Sequence, residues 1–484
     1  MAQTITKKAG KGNGCTLYKA CGGCQLQNLT YEEQLRYKQV KCIRHLSRFG
    51  HVDEIIGMQT PLHYRNKVQA AFGVYCGRII SGVYQSKSHR IVCVDDCMLE
   101  DETADKIIVS IRRLLPRFKL TPYNEDTGRG FLRHVLVKRG FATGEVMVVL
   151  VTPSNLFPKR EAFLHELLRQ HPEITTVIQS INGAKTSLVL GKQELVLFGK
   201  GYIEDVLCGC RFRISARSFY QINPVQTEVL YGKAIEFAAL TGSETVLDAY
   251  CGIGTIGLCA AEKARRVIGV ELNADAVRDA KQNAKLNGSA NVQFYCADAG
   301  KFMVEAAKAH EKIDVVFMDP PRAGSDLPFL KSVVTLAPKK IVYVSCNVET
   351  LARDLGVLCK NGYKVKKMQP VDMFPHTGHC ECVVLLSQRR ATEHIDIKLD
   401  LTDLDLTAAE AKPTYDDIKA YVLKTYGFKV STLYISQVKR KLGLEVGEAY
   451  CKPKSDKYKT PQCPEEKEQA IVAALEYFKV TGIK

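Results

Sequence analysis

Three short motifs in the second half of the chain carry side chains that could do covalent chemistry. Residues 319–324 read DPPRAG, residues 343–347 read YVSCN, and residues 372–381 read DMFPHTGHCE. They supply a carboxylate in a turn, a thiol at Cys346 and a late carboxylate at Glu381. A thiolate can add to an unreactive carbon, and a carboxylate can later remove a proton from it. These are the parts needed to methylate such a carbon.

The thiol of Cys346 is the predicted nucleophile. A free thiol has a pKa of about 8.5, so the reaction needs either a lowered thiol pKa or a proton acceptor at the moment of attack. A buried structural cysteine is the alternative interpretation. Ser345 and Asn347 flank Cys346 at the end of a predicted strand, beside the predicted cofactor site, and this placement favours catalysis.

A glycine-rich turn follows a predicted strand at residues 245–247. Residues 248–257 read DAYCGIGTIG, and Glu271 ends the next predicted strand. Glycines there permit close backbone approach to a ligand, and a carboxylate at the second strand end can accept the hydroxyls of a ribose. Alone, this pattern would also suit a dinucleotide. The acidic residue at the first strand end, Asp248, favours the amino-acid part of S-adenosylmethionine over a pyrophosphate.

These motifs, in this order, resemble the uracil-5 methyltransferases that act on ribosomal and transfer RNA. The resemblance runs roughly from Cys15 to Leu385 and implies methylation of C5 of a uridine. Because uracil C5 is too weak a nucleophile to take a methyl group directly, Cys346 would first add to C6. Glu381, in the family's base position, would then remove the C5 proton. The target base would be flipped from its stack to reach the thiol.

The resemblance also implies which residues contact the cofactor and the base. The expected cofactor contacts are Gln221, Tyr250, Glu271, Asp298 and Asp319. Phe219 matches a position where the family places an aromatic ring against the target base, and a role in an apolar core is the alternative. His376 and His379 are rivals of Glu381 for the role of base, although turn and hydrogen-bonding roles are favoured for both.

A cysteine cluster is expected near the start of the chain. The 18 cysteines, with no predicted secretory signal, indicate reduced thiols, ligands or catalysis rather than disulfides. Cys15, Cys21 and Cys24 follow a C-x5-C-x2-C spacing. By resemblance Cys97 supplies the fourth thiolate, with Cys93 as its competitor. Four thiolates suit zinc or a [4Fe-4S] cluster, and the resemblance favours iron and sulfur.

The strands and helices that must position these residues predict an α/β fold. It combines a doubly wound Rossmann-like S-adenosylmethionine methyltransferase domain, a β-rich central domain with a cysteine cluster, and a small helical C-terminal extension. The predicted strands of the doubly wound sheet are 246–248, 267–271, 315–319 and 341–345. The predicted divisions are 1–30 (cysteine segment), 31–212 (central RNA-binding domain), 213–388 (methyltransferase domain), 389–412 (linker) and 413–484 (helical, basic module).

The C-terminal module contains three predicted helices, at 415–426, 431–442 and 465–478. The second is basic and could contact RNA, and a solvated packing appendage is an equal alternative. Many relatives begin with a small β-barrel RNA-binding domain, which the 14 residues before Cys15 cannot form. RNA docking is therefore expected to rest on the central domain, the cysteine region or the C-terminal module.

Within the resemblance, the cysteine cluster favours 23S ribosomal RNA as the substrate, with transfer RNA as the alternative. An amino-methyltransferase is a second alternative, because such enzymes use an Asp-Pro-Pro turn. However, they have an aromatic residue where Arg322 stands, and their mechanism has no use for Cys346 or Glu381. A non-enzymatic iron-sulfur RNA-binding protein with a vestigial methyltransferase fold is the third.

Composition fits a nucleic-acid partner. The net charge is +16, from 68 Lys and Arg against 52 Asp and Glu, which suits a polyanion such as RNA. An acidic membrane surface, or solubility alone, would also explain the charge. The sequence has no long apolar run and starts with a polar segment, so we expect a cytoplasmic protein without membrane association. Nothing in the sequence indicates an obligate protein partner.

Overall fold

The computed structural model describes residues 14–85, 88, 90–184, 188–389, 415–442 and 463–477. The chain divides into two compact units, Met1–Arg390 and Ala391–Lys484. The predicted linker lies, apart from its first residue, outside the described residues, and the finer domain divisions stay predictions. None of the described helices is long and apolar enough to cross a membrane.

The first unit begins with a short helix, α1 (Tyr18–Cys21), and a long helix, α2 (Tyr31–Leu46), followed by a 3-10 turn at Ser47–Phe49. Helix α2 starts where the Thr30 and Glu33 side chains each accept the other's backbone N–H, a capping box. Its buried side chains recur about every fourth residue and form one stripe: Gln34, Lys38, Cys42 and Leu46.

A seven-stranded sheet forms the central region, with strand order β3-β2-β1-β4-β5-β6-β7. Its strands are β1 (Lys67–Tyr75), β2 (Arg78–Tyr84), β3 (Ile91–Cys93), β4 (His134–Arg139), β5 (Val146–Thr152), β6 (Ile174–Ile181) and β7 (Gln193–Phe198). Two helices not anticipated from the sequence, α3 (Glu102–Arg117) and α4 (Arg160–Gln170), bury apolar side chains in the same core as this sheet. Helix α4 connects the parallel pair β5 and β6, as parallel strands require.

A two-stranded hairpin, β8 (Ile203–Leu207) and β9 (Cys210–Ile214), leads to the second seven-stranded sheet. Its order is β12-β11-β10-β13-β14-β16-β15. The strands are β10 (Thr245–Ala249), β11 (Arg266–Glu271), β12 (Val292–Cys296), β13 (Val315–Met318), β14 (Lys340–Ser345), β15 (Tyr363–Val371) and β16 (Glu381–Gln388). The intervening helices are α5 (Pro224–Ala238), α6 (Thr255–Ala261), α7 (Ala274–Leu286), α8 (Ala299–Lys308), α9 (Leu327–Leu336) and α10 (Val348–Lys360).

Both faces of the second sheet are covered. Along β14, Val342 and Val344 pack into one buried apolar cluster, whereas Ile341 and Tyr343 pack into another. Strands β10 to β14 are parallel, which confirms the doubly wound prediction. Strand β16 runs antiparallel to β14, and β15 is antiparallel to β16. This antiparallel pair was not predicted, and it places the start of β16 at the ligand-binding edge.

The second unit contains three helices, α11 (Tyr415–Tyr426), α12 (Thr432–Lys441) and α13 (Glu465–Tyr477), packed on a common apolar core. Their positions confirm the three predicted helices. Of the basic side chains on α12, Lys439 is buried against the ring of Tyr415, and Lys441 forms an ion pair with Glu468. Two of the three expected RNA-contacting charges therefore have partners within this unit.

Candidate active site

Acidic and nucleophilic residues gather at one edge of the second sheet. Asp248 and Glu271 lie at the ends of β10 and β11, Asp319 follows β13, and Cys346 follows β14. These strands are parallel, so their carboxyl ends meet at the same edge, where ligands bind in doubly wound folds. The predicted nucleophile and two predicted cofactor contacts are thus positioned by the same sheet.

Glu381 reaches this edge from the opposite chain direction. In the antiparallel ladder between β14 and β16, Ser345 lies opposite Cys382. Cys346 directly follows β14 and Glu381 is the first residue of β16, so both lie at the same end of this strand pair. The Glu381 carboxyl interacts electrostatically with the Cys346 thiol. The sheet therefore brings the predicted nucleophile and the predicted base side by side.

Electrostatics at Cys346 reflect this crowding. Burial, with the carboxyls of Glu381 and Asp319 acting in the same direction, raises the pKa of the half-buried Cys346 thiol to about 11. Arg322 acts against them. The thiol is protonated at neutral pH, so of the two routes to a thiolate, a lowered pKa does not apply. A proton acceptor at the moment of attack is therefore needed, and the facing Asp319 carboxyl could serve.

Glu381 is buried, with 4% of its surface exposed, so its carboxyl does not face solvent. Burial raises its pKa well above the ordinary value, Asp319 adds to the increase, and Arg322 opposes it. Burial also raises the pKa of Asp319 to about 7. A carboxyl with a raised pKa holds and releases a proton near neutral pH, as a general base must.

The thiol lines a cavity of about 230 Å³. Its walls combine cationic, polar and apolar side chains from α2, the DPPRAG turn, the start of α10 and the segment before β16: Lys41, Arg322, Cys346, Asn347, Val348, Glu349, His379 and Cys380. A small cleft with a nucleophile and cations suits a flipped base attached to a phosphate backbone.

The two rival histidines differ in environment. His376 has a left-handed backbone (φ 66°), and its N–H donates to the side-chain oxygen of Gln34 at 2.8 Å, in agreement with the favoured turn role. His379 lines the cavity, and burial lowers its pKa, with Arg322 and Lys41 lowering it further. An imidazole with a lowered pKa is neutral at physiological pH and can accept a proton, so His379 stays a rival of Glu381 for the role of base.

The glycine-rich turn is shaped for close approach. Gly252 and Gly254 both have positive φ, and a Cβ on Gly254 would lie 2.6 Å from the ring of Phe294. The carboxyl of Asp248 is buried and accepts the Gly257 N–H at 2.8 Å, which fixes the first turn of α6. Burial raises the pKa of Asp248 to about 7. The conformation of this turn is therefore fixed by its glycines and by the hydrogen bond to the Asp248 carboxyl.

Two further carboxylates flank that turn. Glu271 accepts the N–H groups of Gly252 at 3.2 Å and Asn273 at 2.8 Å, one on each oxygen, so its orientation is fixed. Asp298 is exposed and caps α8 by accepting the Lys301 N–H at 2.8 Å. A fixed carboxylate at the end of the second strand has the geometry expected for a ribose contact.

The remaining predicted cofactor residues surround the same turn. Tyr250 has a left-handed backbone (φ 66°), and its ring packs on Phe329 with centroids 4.8 Å apart. Gln221 is half-buried, within hydrogen-bonding reach of the Tyr231 hydroxyl, and Asp319 interacts electrostatically with the same tyrosine. Gln221 and Asp319 therefore share a neighbour, although they are distant in sequence.

Phe219, the predicted base-stacking residue, is 65% exposed. Its alternative role in an apolar core is therefore wrong. An exposed aromatic ring beside a cofactor-binding loop is suited to stacking on a nucleobase.

Of the four predicted cluster thiols, Cys24 and Cys97 pack on a common buried cluster of Met58, Tyr64 and Leu99. Cys24 also interacts electrostatically with the other two: Cys15 and Cys21. Across the described part of the chain, no group of three or more His, Cys, Asp or Glu has metal-holding geometry.

The competing thiol, Cys93, has a different environment. It is exposed and accepts a hydrogen bond from the Arg112 guanidinium at 3.2 Å. Its sulfur also lies 3.7 Å from the Asp95 carboxylate. Because Cys97 shares a cluster with Cys24 and Cys93 does not, the packing favours Cys97 as the fourth predicted thiol.

Comparison with known proteins identifies the family. A family model described as tRNA (uracil-5-)-methyltransferase matches residues 30–389, well over half of the chain. An uncharacterized RNA methyltransferase of Halalkalibacterium halodurans is 46% identical over 377 residues, covering 77% of this chain and 82% of the relative. One from Clostridium acetobutylicum is 45% identical over 384 residues, covering 77% and 83%.

The chain belongs to the RNA uracil-5 methyltransferase family. A solved structure agrees: Pyrococcus abyssi tRNA (uracil-54, C5)-methyltransferase in complex with S-adenosyl-L-homocysteine matches with a TM-score of 0.63 and 29% identity, over 76% of this chain and 86% of that one. The protein is thus an S-adenosylmethionine-dependent RNA (uracil-5-)-methyltransferase. This identity argues against the amino-methyltransferase and the non-enzymatic alternatives. The helical second unit lies beyond the matched residues.

Sequence reasoning missed the contacts that hold the segment before Glu381. Lys38 and Gln34 on α2 bind that segment, yet nothing in their local sequence signals it. The only available signal was the pair of polar residues on the otherwise apolar stripe of α2. Lys41, which lines the cavity, was also not anticipated.

Proposed function

We propose that this RNA uracil-5 methyltransferase acts on C5 of a uridine in 23S ribosomal RNA, with Cys346 as the nucleophile and Glu381 as the base. The observation that carries the proposal is the antiparallel pairing of β14 with β16: Cys346 directly follows the first strand and Glu381 begins the second at the same end of the pair, where the two side chains interact electrostatically. The ribosomal assignment rests on the cysteine spacing of Cys15, Cys21 and Cys24. Transfer RNA is the second candidate, favoured by the similarity to the Pyrococcus abyssi enzyme.

In the proposed reaction, Cys346 loses its proton to the Asp319 carboxylate, and its sulfur adds to C6 of the uracil, while the Glu381 carboxylate stays unprotonated for the later step. The electron pair displaced onto the ring makes C5 nucleophilic. S-adenosylmethionine, when bound, supplies the electrophilic methyl group. Glu381 then removes the hydrogen left on C5 as a proton, the C6–sulfur bond breaks, and the thiolate leaves. The raised pKa of Glu381 suits this step because the carboxylate is a stronger base.

We assign the cofactor contacts to Gln221, Tyr250, Glu271, Asp319 and Asp298. The support is their common position around the glycine-rich turn, where the fixed Glu271 carboxylate could accept ribose hydroxyls. Phe219 is assigned to the target base because its ring is exposed and because it lies two residues before Gln221 in the chain.

We also propose that Cys15, Cys21, Cys24 and Cys97 hold a [4Fe-4S] cluster. The support is the donor set, four thiols of suitable spacing, and the shared packing of Cys24 and Cys97. The role would be structural or RNA-contacting, since methyl transfer needs no redox step. Anaerobically purified protein should contain iron and acid-labile sulfide, and Cys97→Ser should lower both, whereas Cys93→Ser should not. Stoichiometric zinc without sulfide would overturn the assignment.

The decisive experiment for the substrate is a map of 5-methyluridine in 23S ribosomal and transfer RNA from cells that lack the protein. We expect one or more ribosomal sites to lose the methyl group and to regain it with the wild-type gene but not with Cys346→Ala. Loss confined to transfer RNA would establish the second candidate. Restoration by Cys346→Ala would refute the nucleophile.

A further inference from the structure

The segment 372–380 joins β15 to β16 and ends where Glu381 begins. Within the described chain, no hydrogen bond to the Glu381 carboxyl is present, so its direction depends on the backbone that carries it. The segment makes few hydrogen bonds of its own, such as Thr377 to the Phe374 carbonyl. Most of the contacts that fix it come from other parts of the chain.

Helix α2 supplies the strongest of these contacts. The Lys38 ammonium lies 2.5 Å from the Asp372 carboxylate, and neither side chain is exposed. The same ammonium donates to the Phe374 carbonyl at 2.9 Å. A buried ion pair with an additional hydrogen bond fixes the position of the segment relative to α2, because breaking the pair would leave one charge buried without its partner.

One turn earlier on α2, the Gln34 side chain forms hydrogen bonds with His376, in the middle of the segment. Its side-chain oxygen accepts the His376 N–H at 2.8 Å, and its side-chain nitrogen lies 3.2 Å from Nδ1 of the same histidine. That nitrogen also donates to the Leu29 carbonyl at 3.1 Å. Gln34 is fully buried, and His376 has a left-handed backbone, which such contacts must hold in place.

Residues next to the cysteine segment add further contacts. The Leu26 N–H donates to the His376 carbonyl at 3.0 Å, and the Gly378 N–H donates to the Gln25 side chain at 3.2 Å. The side chains of Tyr64, Asn223 and Gln226 also donate to backbone carbonyls of the segment, between Asp372 and Pro375. Helix α2 and the residues after Cys24 bind the part nearer to Glu381, at His376 and Gly378.

We propose that Gln34 and Lys38 are positioning residues that hold Glu381 in place for proton removal. The inference rests on the proposed role of Glu381 and extends it to residues that touch neither cofactor nor substrate. A displaced Glu381 would leave addition by Cys346 and methyl transfer intact but would slow the last step. The enzyme would then accumulate RNA linked to Cys346 through C6 of the methylated uracil.

The test compares Gln34→Leu with Gln39→Leu. Gln39 lies on the same helix and also makes two backbone hydrogen bonds through its side chain, to Asp53 and Ile55 rather than to the segment. For Gln34→Leu, kcat should fall on the order of 100-fold, the cost of a displacement near 1 Å. RNA-linked protein should accumulate on denaturing gels, and KM for RNA should fall together with kcat because the slowed step follows adduct formation, whereas S-adenosylmethionine affinity should be unchanged. Gln39→Leu should show neither effect.

Glu381→Gln serves as the reference. If Glu381→Gln accumulates no adduct, the assigned base is wrong. If it accumulates adduct while Gln34→Leu turns over normally, or slows without adduct, only the positioning role is wrong. Should Gln34→Leu fail to bind S-adenosylmethionine, the milder Gln34→Asn decides the question: it shortens the reach of the amide by one methylene. Adduct in that variant supports the proposal, and wild-type kinetics overturn it.

Discussion

The buried pair of Lys38 and Asp372 makes a quantitative prediction about stability. In Lys38→Met the carboxylate stays buried without a partner, because neither side chain has any exposed surface. Removing one partner of a buried pair costs about 3–5 kcal/mol. The upper part of that range applies, since the same ammonium also donates to the Phe374 carbonyl. The free energy of unfolding should therefore fall by this amount.

Lys233→Met is the matched control. Lys233 forms an ion pair with Glu236 at 2.8 Å, a similar distance, but both side chains are substantially exposed, at 32% and 53%. Exposed pairs contribute below about 1 kcal/mol. Burial rather than distance thus separates the two predictions.

The assay is equilibrium unfolding in urea. Far-UV circular dichroism is the suitable signal, because the chain contains no tryptophan. The double variant Lys38→Met/Asp372→Leu should recover most of the loss, since an apolar pair removes the stranded charge. If the free energy of unfolding of Lys38→Met lies within about 1 kcal/mol of the wild-type value, the conclusion that this ion pair is shielded from water is refuted.

Three further predictions concern the site. The rate of RNA adduct formation should rise with pH below about 7 and level off above it, because the Asp319 carboxyl, whose pKa is raised to about 7, accepts the Cys346 proton only when it is ionised; a rate that keeps rising about tenfold per pH unit in mildly alkaline buffer would contradict this. Gly254→Ala should weaken S-adenosylmethionine binding at least about tenfold, as measured by calorimetry. Strain of about 1–3 kcal/mol is expected there because φ is 85° and the new Cβ would meet Phe294. The control Gly232→Ala should bind S-adenosylmethionine normally, since the space around Gly232 is open. Phe219→Ala should change unfolding by less than about 0.5 kcal/mol because the ring is exposed, yet weaken RNA binding by about 1–3 kcal/mol, and equal RNA affinity in filter binding would rule out stacking.

Local pattern was enough to predict four of the five parallel strands of the second sheet, β10, β11, β13 and β14, but not β12. The central strands of this sheet are continuous apolar runs that end in polar residues, and the run at 315–319 was observed as β13. The direction of β16 could not be predicted, because an antiparallel strand has the same local pattern as a parallel one. Helices α3 and α4 were missed since the short strands around them dominated the pattern. For α3, the helical spacing is visible in the sequence positions of three buried residues: Ile107, Ile111 and Leu114.

The candidate site was predictable where its residues sit at strand ends. Cys346 and Asp319 directly follow parallel strands, and the carboxyl ends of parallel strands lie at the same edge of a doubly wound sheet. The raised pKa of Cys346 could not be predicted, because it depends on burial and on carboxyls from other strands. The pairing of Lys38 with Asp372 joins residues 334 positions apart, and a single sequence contains no signal of such a contact.

The most direct test of the central claim is peptide mapping of the species trapped by Glu381→Gln with substrate RNA and S-adenosylmethionine. After nuclease and protease digestion, mass spectrometry should find a methylated uridine nucleotide on the peptide that contains Cys346. That bond would establish addition before methyl transfer and proton removal after it. An adduct on another cysteine, or fully methylated free RNA with no adduct from Glu381→Gln, would contradict the account.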